Sequence, residues 1–115
     1  MLSLNSESTS DNPNIGIYDI CGLWEVIRIS RGSVVSYPWL KDRFKYSFQP
    51  EMFYVCLLNG HNSSGTWKLS EEPYESEKRY SIVLNDNDKY TILDISEDEL
   101  TLADENNSYF LVRKL

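Results

Sequence analysis

The chain has 115 residues, a mass of 13.4 kDa and 41% apolar residues, enough for one domain with one hydrophobic core. Its apolar runs are far shorter than the ~20 residues that a membrane-spanning helix needs. The formal net charge of −7 belongs to residues 51–115, which carry thirteen acids and six bases, whereas residues 1–50 carry five of each. An acidic half repels phosphate backbones. We therefore expect no nucleic-acid partner and no membrane partner.

The first fourteen residues, MLSLNSESTSDNPN, differ in composition from the rest of the chain. They have neither the basic region nor the apolar region of a secretory signal, so they predict a flexible polar arm and a cytoplasmic protein. Residues 15–115 form the predicted folded domain. Outside an oxidising compartment, Cys21 and Cys56 are expected to be thiols and not a disulfide.

Short segments with alternating apolar residues follow one another through this domain. A lead-in over residues 15–21 has the length of one helical turn, and in the strand after it Trp24 and Val26 share one face. Phe44, Tyr46 and Phe48 then alternate with polar residues, as is typical of a half-buried strand. The pattern predicts eight strands, at residues 23–29, 43–48, 53–58, 66–69, 79–84, 89–95, 99–103 and 108–113.

Turn-forming residues separate these strands. Pro38 predicts a loop over residues 37–40, because proline cannot donate a hydrogen bond in a central strand. The acidic residues 70–78 also predict a loop. Short turns rich in glycine, asparagine, aspartate or serine are predicted at residues 30–33, 49–52, 59–65, 85–88, 96–98 and 104–107. Eight strands in hairpin connection with no long helix predict an all-β fold, an antiparallel up-and-down barrel whose closure removes exposed edges.

Three stretches resemble the small bacterial lipocalin-like domains. They are Gly22-Leu23-Trp24 at the first strand, Gly65-Thr66-Trp67-Lys68-Leu69, and the hairpin sequence from Tyr90 to Leu102. The similarity runs from about residue 20 to the C-terminus. It implies an eight-stranded, calycin-type barrel in which the tryptophan after the glycine fills the closed end. A barrel of this size is either filled by side chains or holds one small ligand.

The resemblance also implies which way the first strand faces. If Trp24 points inward, Val26 and Arg28 follow it, because residues two apart share a face. An inward Arg28 needs an internal carboxylate such as Asp94, or a negative group on a ligand, unless it reaches water at the rim or stacks on an aromatic ring. The candidate ligand-binding residues are Arg28, Trp39, Tyr46, Tyr54 and Trp67.

Motifs for catalysis are lacking in the sequence. His61 is the sole histidine and lies in a predicted loop, and no nucleophile elbow, phosphate loop or metal-ligand spacing occurs. We expect no metal and no cofactor. A pocket with polar groups such as Tyr46 and Arg28 could still catalyse a reaction by shaping its substrate, so an enzymatic role stays open.

Three functions fit these observations. The first is a binding module that holds a small apolar or amphipathic molecule in the barrel mouth. The second is an inhibitor or immunity-type protein whose acidic half covers a basic protein partner. The third is a small barrel cyclase or isomerase of a biosynthetic pathway. The oligomeric state is open in all three.

Overall fold

The structure is a computed structural model that describes residues 14–58, 60–75 and 77–114, with residue 41 described by its backbone alone. Short β-strands make up most of the described chain, together with one short α-helix and a single 3₁₀ turn over Leu40–Asp42. The elements are α1 Ile17–Ile20, β1 Gly22–Arg31, β2 Val34–Ser36, β3 Lys45–Phe48, β4 Phe53–Leu58, β5 His61–Tyr74, β6 Glu77–Leu84, β7 Asp88–Ile95, β8 Glu99–Ala103 and β9 Ser108–Lys114.

Eight of these strands close into an antiparallel barrel. Each strand from β3 to β8 pairs with the next along the chain, and β1 pairs with both β3 and β9 to complete the ring. The short β2 lies outside the ring and pairs with the last residues of β1. The predicted eight-stranded up-and-down barrel is therefore confirmed. Of the predicted N-terminal arm, all but Asn14 lies outside the described residues.

Two predicted loops are strands in the structure. Most of the predicted loop 59–65 belongs to β5, whose His61 pairs with Leu58. Most of the predicted acidic loop 70–78 is instead strand, because β5 continues to Tyr74 and β6 begins at Glu77. Across this pair, Lys78 Nζ lies 3.5 Å from Glu71 Oε2. Serine and glutamate have low intrinsic strand preference, but backbone pairing with a neighbouring strand outweighs that preference. The short strand β2 was not predicted either.

The core lies inside the barrel and is rich in aromatic and branched side chains. Its buried members come from α1 and from every barrel strand except β7, whose Tyr90, Ile92 and Ile95 are partly buried against the core. The buried hydrophobic residues are Ile20, Trp24, Val26, Phe48, Tyr54, Trp67, Tyr80, Ile82, Leu84, Leu100, Leu102 and Leu111.

The barrel end at which β1 begins is closed by Trp24. Its side chain has no exposed surface, and its indole Nε1 donates a hydrogen bond to the Ile20 carbonyl oxygen at 2.7 Å. The Arg113 guanidinium lies 4.2 Å from the Trp24 ring centroid and donates hydrogen bonds to the Cys21 and Asp19 carbonyl oxygens. Gly22 has a φ of 126°, and a β-carbon there would overlap Arg113. The glycine two residues before the tryptophan thus leaves room for the cation that covers it.

Two β-bulges reverse the facing of strand residues. In β1, Val26 pairs with Leu111 and Arg28 with the adjacent Phe110, so Ile27 is the extra residue. In β7, Ile92 pairs with Leu102 and Asp94 with Thr101, so Leu93 is extra. A bulge shifts the alternation by one residue. After each bulge the charged residue points outward, and the isoleucine that follows it, Ile29 or Ile95, packs against the core.

The connection between β2 and β3 is fixed to the outer wall of the barrel by a buried carboxylate. Glu25 has an exposed fraction of 2%, and its Oε1 lies 3.6 Å from Arg43 Nη1 and 3.5 Å from Lys114 Nζ. Arg43 Nε also donates to the Pro38 carbonyl oxygen at 3.2 Å. These contacts hold the connection between β2 and β3 against the barrel.

Candidate functional site

An apolar cavity of about 230 Å³ lies inside the barrel. Seven aliphatic or phenylalanine side chains and three tyrosines line it, and within the described part of the chain none of its lining residues is charged. The lining residues are Val26, Phe44, Tyr46, Phe48, Ile82, Leu84, Tyr90, Leu102, Tyr109 and Leu111. A concave, mostly apolar space with a few polar groups is the usual form of a small-molecule site.

The three tyrosines bring phenol groups to this apolar space, and each stays neutral. Burial raises the pKa of Tyr46, and the neighbouring Cys56 thiol, to which its hydroxyl is hydrogen-bonded, raises the pKa further. Burial likewise raises the pKa of Tyr90, with the nearby Tyr109 adding to the effect. Burial is also the main cause of the raised pKa of Tyr109. A neutral phenol can both donate and accept a hydrogen bond.

The hydroxyl of Tyr109 already has protein partners. It donates to Asp104 Oδ2 at 2.8 Å and accepts a hydrogen bond from Asn107 Nδ2 at 3.2 Å, both in the turn between β8 and β9. The Tyr109 ring packs edge-on against Tyr90, with their centroids 5.9 Å apart. These contacts fix the ring orientation at this side of the cavity.

Arg28 does not face the interior, and the prediction that it shares the face of Trp24 is wrong. The bulge at Ile27 turns Arg28 to the outside of the barrel, where it is exposed and lies 4.6 Å from the Phe110 ring centroid. Its suggested partner, Asp94, is also exposed, because of the second bulge. Neither charged group therefore enters the barrel, which avoids the cost of burying it.

The other predicted site residues occupy three different environments. Tyr46 lines the cavity. Trp67 is buried beside it, with its Nε1 donating to the Gln49 carbonyl oxygen at 2.9 Å, and Tyr54 is buried with its hydroxyl accepting a hydrogen bond from Asn85. Trp39 is 79% exposed, outside the barrel wall. The structure thus brings Tyr46, Tyr54 and Trp67 together and leaves Arg28 and Trp39 apart from them.

Sequence reasoning missed Tyr90 and Tyr109 as lining residues. The signal was present in β9, where Tyr109 and Leu111 are two apart and share the inward face. In β7 the same argument joins Tyr90 to Ile92, which packs against the core. Tyr90 and Ile92 lie before the bulge in β7, and Tyr109 and Leu111 lie in β9, where neither bulge occurs. Simple alternation therefore describes both pairs correctly.

A larger open concavity of about 710 Å³ lies where β6 and β7 diverge. The two strands pair only from Ser81 to Leu84, and charged side chains including Arg79, Lys89 and Asp104 border the opening. This concavity is wider, more open to solvent and bordered by charged side chains, whereas the interior cavity is smaller and lined by uncharged side chains. The interior cavity is therefore the better candidate for a small apolar ligand.

Residues 14–58, 60–75 and 77–114 contain neither a membrane-spanning helix nor a cluster of metal ligands. No helix there has the length and apolar character needed to span a bilayer. The same residues contain no group of three histidine, cysteine, aspartate or glutamate side chains placed to hold a metal ion.

The architecture of this barrel is similar to that of a protein whose structure has been solved. The chain is similar to the crystal structure of a lipocalin-like protein from Bacteroides uniformis, with a TM-score of 0.59 and 15% sequence identity. The similarity covers 84% of this chain and 99% of the other. At that identity it shows the fold alone: the protein has a lipocalin-like barrel. No family model and no curated protein matches the sequence.

Proposed function

We propose that the protein binds a small, neutral, apolar molecule in the cavity inside its barrel. The cavity and its uncharged lining carry this proposal. The lipocalin-like fold supports it, because an eight-stranded barrel of this kind has an interior that can hold one small ligand.

The volume and the lining define the class of ligand. A dry apolar cavity of about 150 Å³ can hold benzene, so a space of about 230 Å³ suits a molecule with one or two fused rings. A carboxylate or ammonium group would lose its hydration without gaining an opposite charge. We therefore expect a neutral ligand, in contrast to the anionic ligand that an inward Arg28 would have favoured.

The tyrosine hydroxyls provide selectivity within this class. The Tyr109 hydroxyl donates to Asp104 and the Tyr46 hydroxyl is hydrogen-bonded to Cys56, which leaves Tyr90 as the cavity phenol to donate a hydrogen bond to a hydroxyl or carbonyl group of the ligand. Such a bond in an apolar site contributes about 1 kcal/mol net. We expect a ligand that is mostly hydrocarbon and has one small polar group.

Three matched probes test the proposal: naphthalene, 2-naphthol and 2-naphthoate, measured by calorimetry and ligand-detected NMR. The two neutral probes should bind, 2-naphthol more tightly, and the carboxylate should not. Tight binding of 2-naphthoate with no binding of the neutral probes would contradict the proposal.

A cavity-filling variant shows where the probes bind. Val26→Phe adds a ring inside the barrel and should abolish binding of naphthalene. Val83→Phe is the matched control, because Val83 lies between the inward Ile82 and Leu84 and therefore faces outward. Unchanged binding in Val26→Phe, or equal loss in both variants, would refute the interior site.

A further inference from the structure

Exposed apolar side chains are concentrated in the connection between β1 and β3. Six large apolar residues there are exposed, from Phe44 at 37% to Trp39 at 79%, and only four others are exposed in the rest of the described chain. We call these six the apolar lip. Its members are Val34, Val35, Tyr37, Trp39, Leu40 and Phe44.

The lip adjoins the cavity. Phe44 belongs to both, because it lines the cavity and is also partly exposed. Single exposed apolar residues are ordinary on protein surfaces, but a large contiguous group of them usually marks a contact surface. The four exposed apolar residues elsewhere, Tyr18, Phe53, Tyr74 and Leu93, come from separate elements of the barrel.

The lip is held in place by several contacts. Val34 and Val35 pair with the end of β1, and the Val26 amide donates to the Phe44 carbonyl oxygen at 2.9 Å. The Asp42 amide donates to the Trp39 carbonyl oxygen at 2.7 Å, closing the 3₁₀ turn. The buried Glu25 holds Arg43. The exposed side chains are thus presented by an ordered backbone.

The charge around the lip is opposite to that of the rest of the protein. Residues 28–45 contain five bases and one acid, a formal charge of +4. The remaining residues contain six bases and seventeen acids, a formal charge of −11. An anionic surface would therefore attract this end of the protein and repel the other parts.

We propose that the apolar lip docks on an anionic lipid membrane. Trp39, Tyr37 and Leu40 enter the headgroup region, where aromatic side chains are favoured. The exposed Arg28 and Arg31 supply positive charge for the lipid phosphates, whereas Arg43 is already paired with Glu25.

The proposal revises our expectation of no membrane partner, because the charge of residues 28–45 is opposite to the net charge of the chain. Peripheral docking also needs no spanning helix, of which residues 14–58, 60–75 and 77–114 contain none. On the membrane, the cavity would receive its neutral ligand from the lipid. This last step rests on the proposed function, whereas docking itself does not.

Intrinsic fluorescence reports the contact directly. Trp24 and Trp67 are buried, so a change on vesicle addition comes from the exposed Trp39. Phosphatidylcholine vesicles in which a quarter of the lipid is phosphatidylglycerol should shift the emission to shorter wavelength, and added salt should reverse the shift. Pure phosphatidylcholine vesicles should bind at least about tenfold more weakly. No shift with the anionic vesicles would overturn the proposal.

Matched variants locate the contact by vesicle co-flotation. The double substitution Trp39→Ser with Leu40→Ser should reduce binding at least about tenfold. The control, Phe53→Ser with Leu93→Ser, removes two exposed apolar residues from outside the lip and should bind like the wild type. Arg31→Glu should weaken binding by about fivefold or more, since one basic residue near an anionic surface contributes about that factor. Equal behaviour of the two double variants would overturn the proposal.

Two further measurements separate this proposal from its alternatives. If the lip instead joins two copies of the chain, the wild type will sediment as a dimer without lipid and the lip variant as a monomer, which would overturn membrane docking. The Val26→Phe variant should still bind vesicles, and the lip variant should still bind naphthalene. If the wild type binds vesicles but does not bind naphthalene, the proposed function is refuted and the docking proposal is not.

Discussion

Aromatic side chains occupy both ends of the barrel interior, but they pack differently at each. Where β1 begins, Trp24 is fully covered, hydrogen-bonded to Ile20 and stacked under Arg113. Toward the turn between β8 and β9, Tyr90 and Tyr109 border an open space of about 230 Å³. The first arrangement leaves no room for a ligand, and the second leaves a volume lined with phenols.

The difference teaches where stability and function reside in this barrel. A buried indole needs one hydrogen-bond acceptor, and the Ile20 carbonyl supplies it, so the Trp24 N–H needs no partner from a ligand. Phenols at the cavity can bond to protein or to a ligand. Substitutions at the closed end should therefore reduce stability, whereas those at the cavity should alter binding.

The largest expected effect is at the closed end. Trp24→Ala removes a side chain with no exposed surface and also removes the ring on which Arg113 stacks. We expect a loss of about 3–5 kcal/mol in the free energy of unfolding, measured with urea. Trp39→Ala is the control, with an expected change within about 0.5 kcal/mol because Trp39 is 79% exposed. Similar losses in the two variants would contradict the assignment of the closed end.

The second prediction tests the bulge in β7. Leu93 and Ile95 are two apart, and simple alternation would put them on one face, but Leu93 is 58% exposed and Ile95 packs against the core. Ile95→Asp should therefore lower the free energy of unfolding by about 2–3 kcal/mol, and Leu93→Asp by less than about 0.5 kcal/mol. Equal costs would mean that the bulge does not reverse the facing of the strand.

These bulges explain which parts of the site could be predicted from the sequence. The strand order follows from alternation and turns, the role of Trp24 follows from the resemblance to lipocalin-like domains, and both agree with the structure. Alternation does not predict which way Arg28 and Asp94 point, because each lies just after the extra residue of a bulge. Both bulges occur in the same pattern of two apolar residues, one charged residue and one apolar residue: Val-Ile-Arg-Ile at 26–29 and Ile-Leu-Asp-Ile at 92–95. Burying either charge would cost more than the local distortion of the strand.

Other features depend on contacts that no local pattern contains. Arg113 is ninety-two residues from Cys21, yet it donates to the Cys21 carbonyl oxygen and covers Trp24. The length of β5 likewise depends on pairing with β6 and not on its own serines and glutamates. The empty volume is the space left when side chains from several strands meet. Alternation can name the side chains that face inward, but it cannot show whether they fill the barrel.

The third prediction concerns Glu25, which joins the lip segment to the barrel wall. Glu25→Gln keeps the size of the side chain but removes the negative charge between Arg43 and Lys114. The two cations are partly exposed and can regain water, so we expect a loss of about 1 kcal/mol in the free energy of unfolding. Glu72→Gln, in an exposed pair with Lys89, is the control and should cost less. Faster hydrogen exchange at residues 38–44 in Glu25→Gln alone would show that the lip has loosened, and unchanged exchange would argue against this tether.

The last effect is absent at neutral pH, appears only at alkaline pH and concerns the cavity phenols. Burial raises the pKa of Tyr46 above its ordinary value of 10.0, so the folded protein holds this proton more tightly than the unfolded chain does. The resulting stability is fully present below about pH 10 and is lost as the pH rises from there toward the raised pKa, by at most about 1.4 kcal/mol per pH unit for one group. Tyr46→Phe should therefore flatten the fall in unfolding free energy above about pH 10, while Tyr37→Phe, at an exposed ring, should not. Some slope will remain in Tyr46→Phe, because burial also raises the pKa of Tyr90 and Tyr109. An identical alkaline slope in wild type and Tyr46→Phe would mean that the Tyr46 hydroxyl reaches water, and the cavity would then be wetter than its apolar lining indicates.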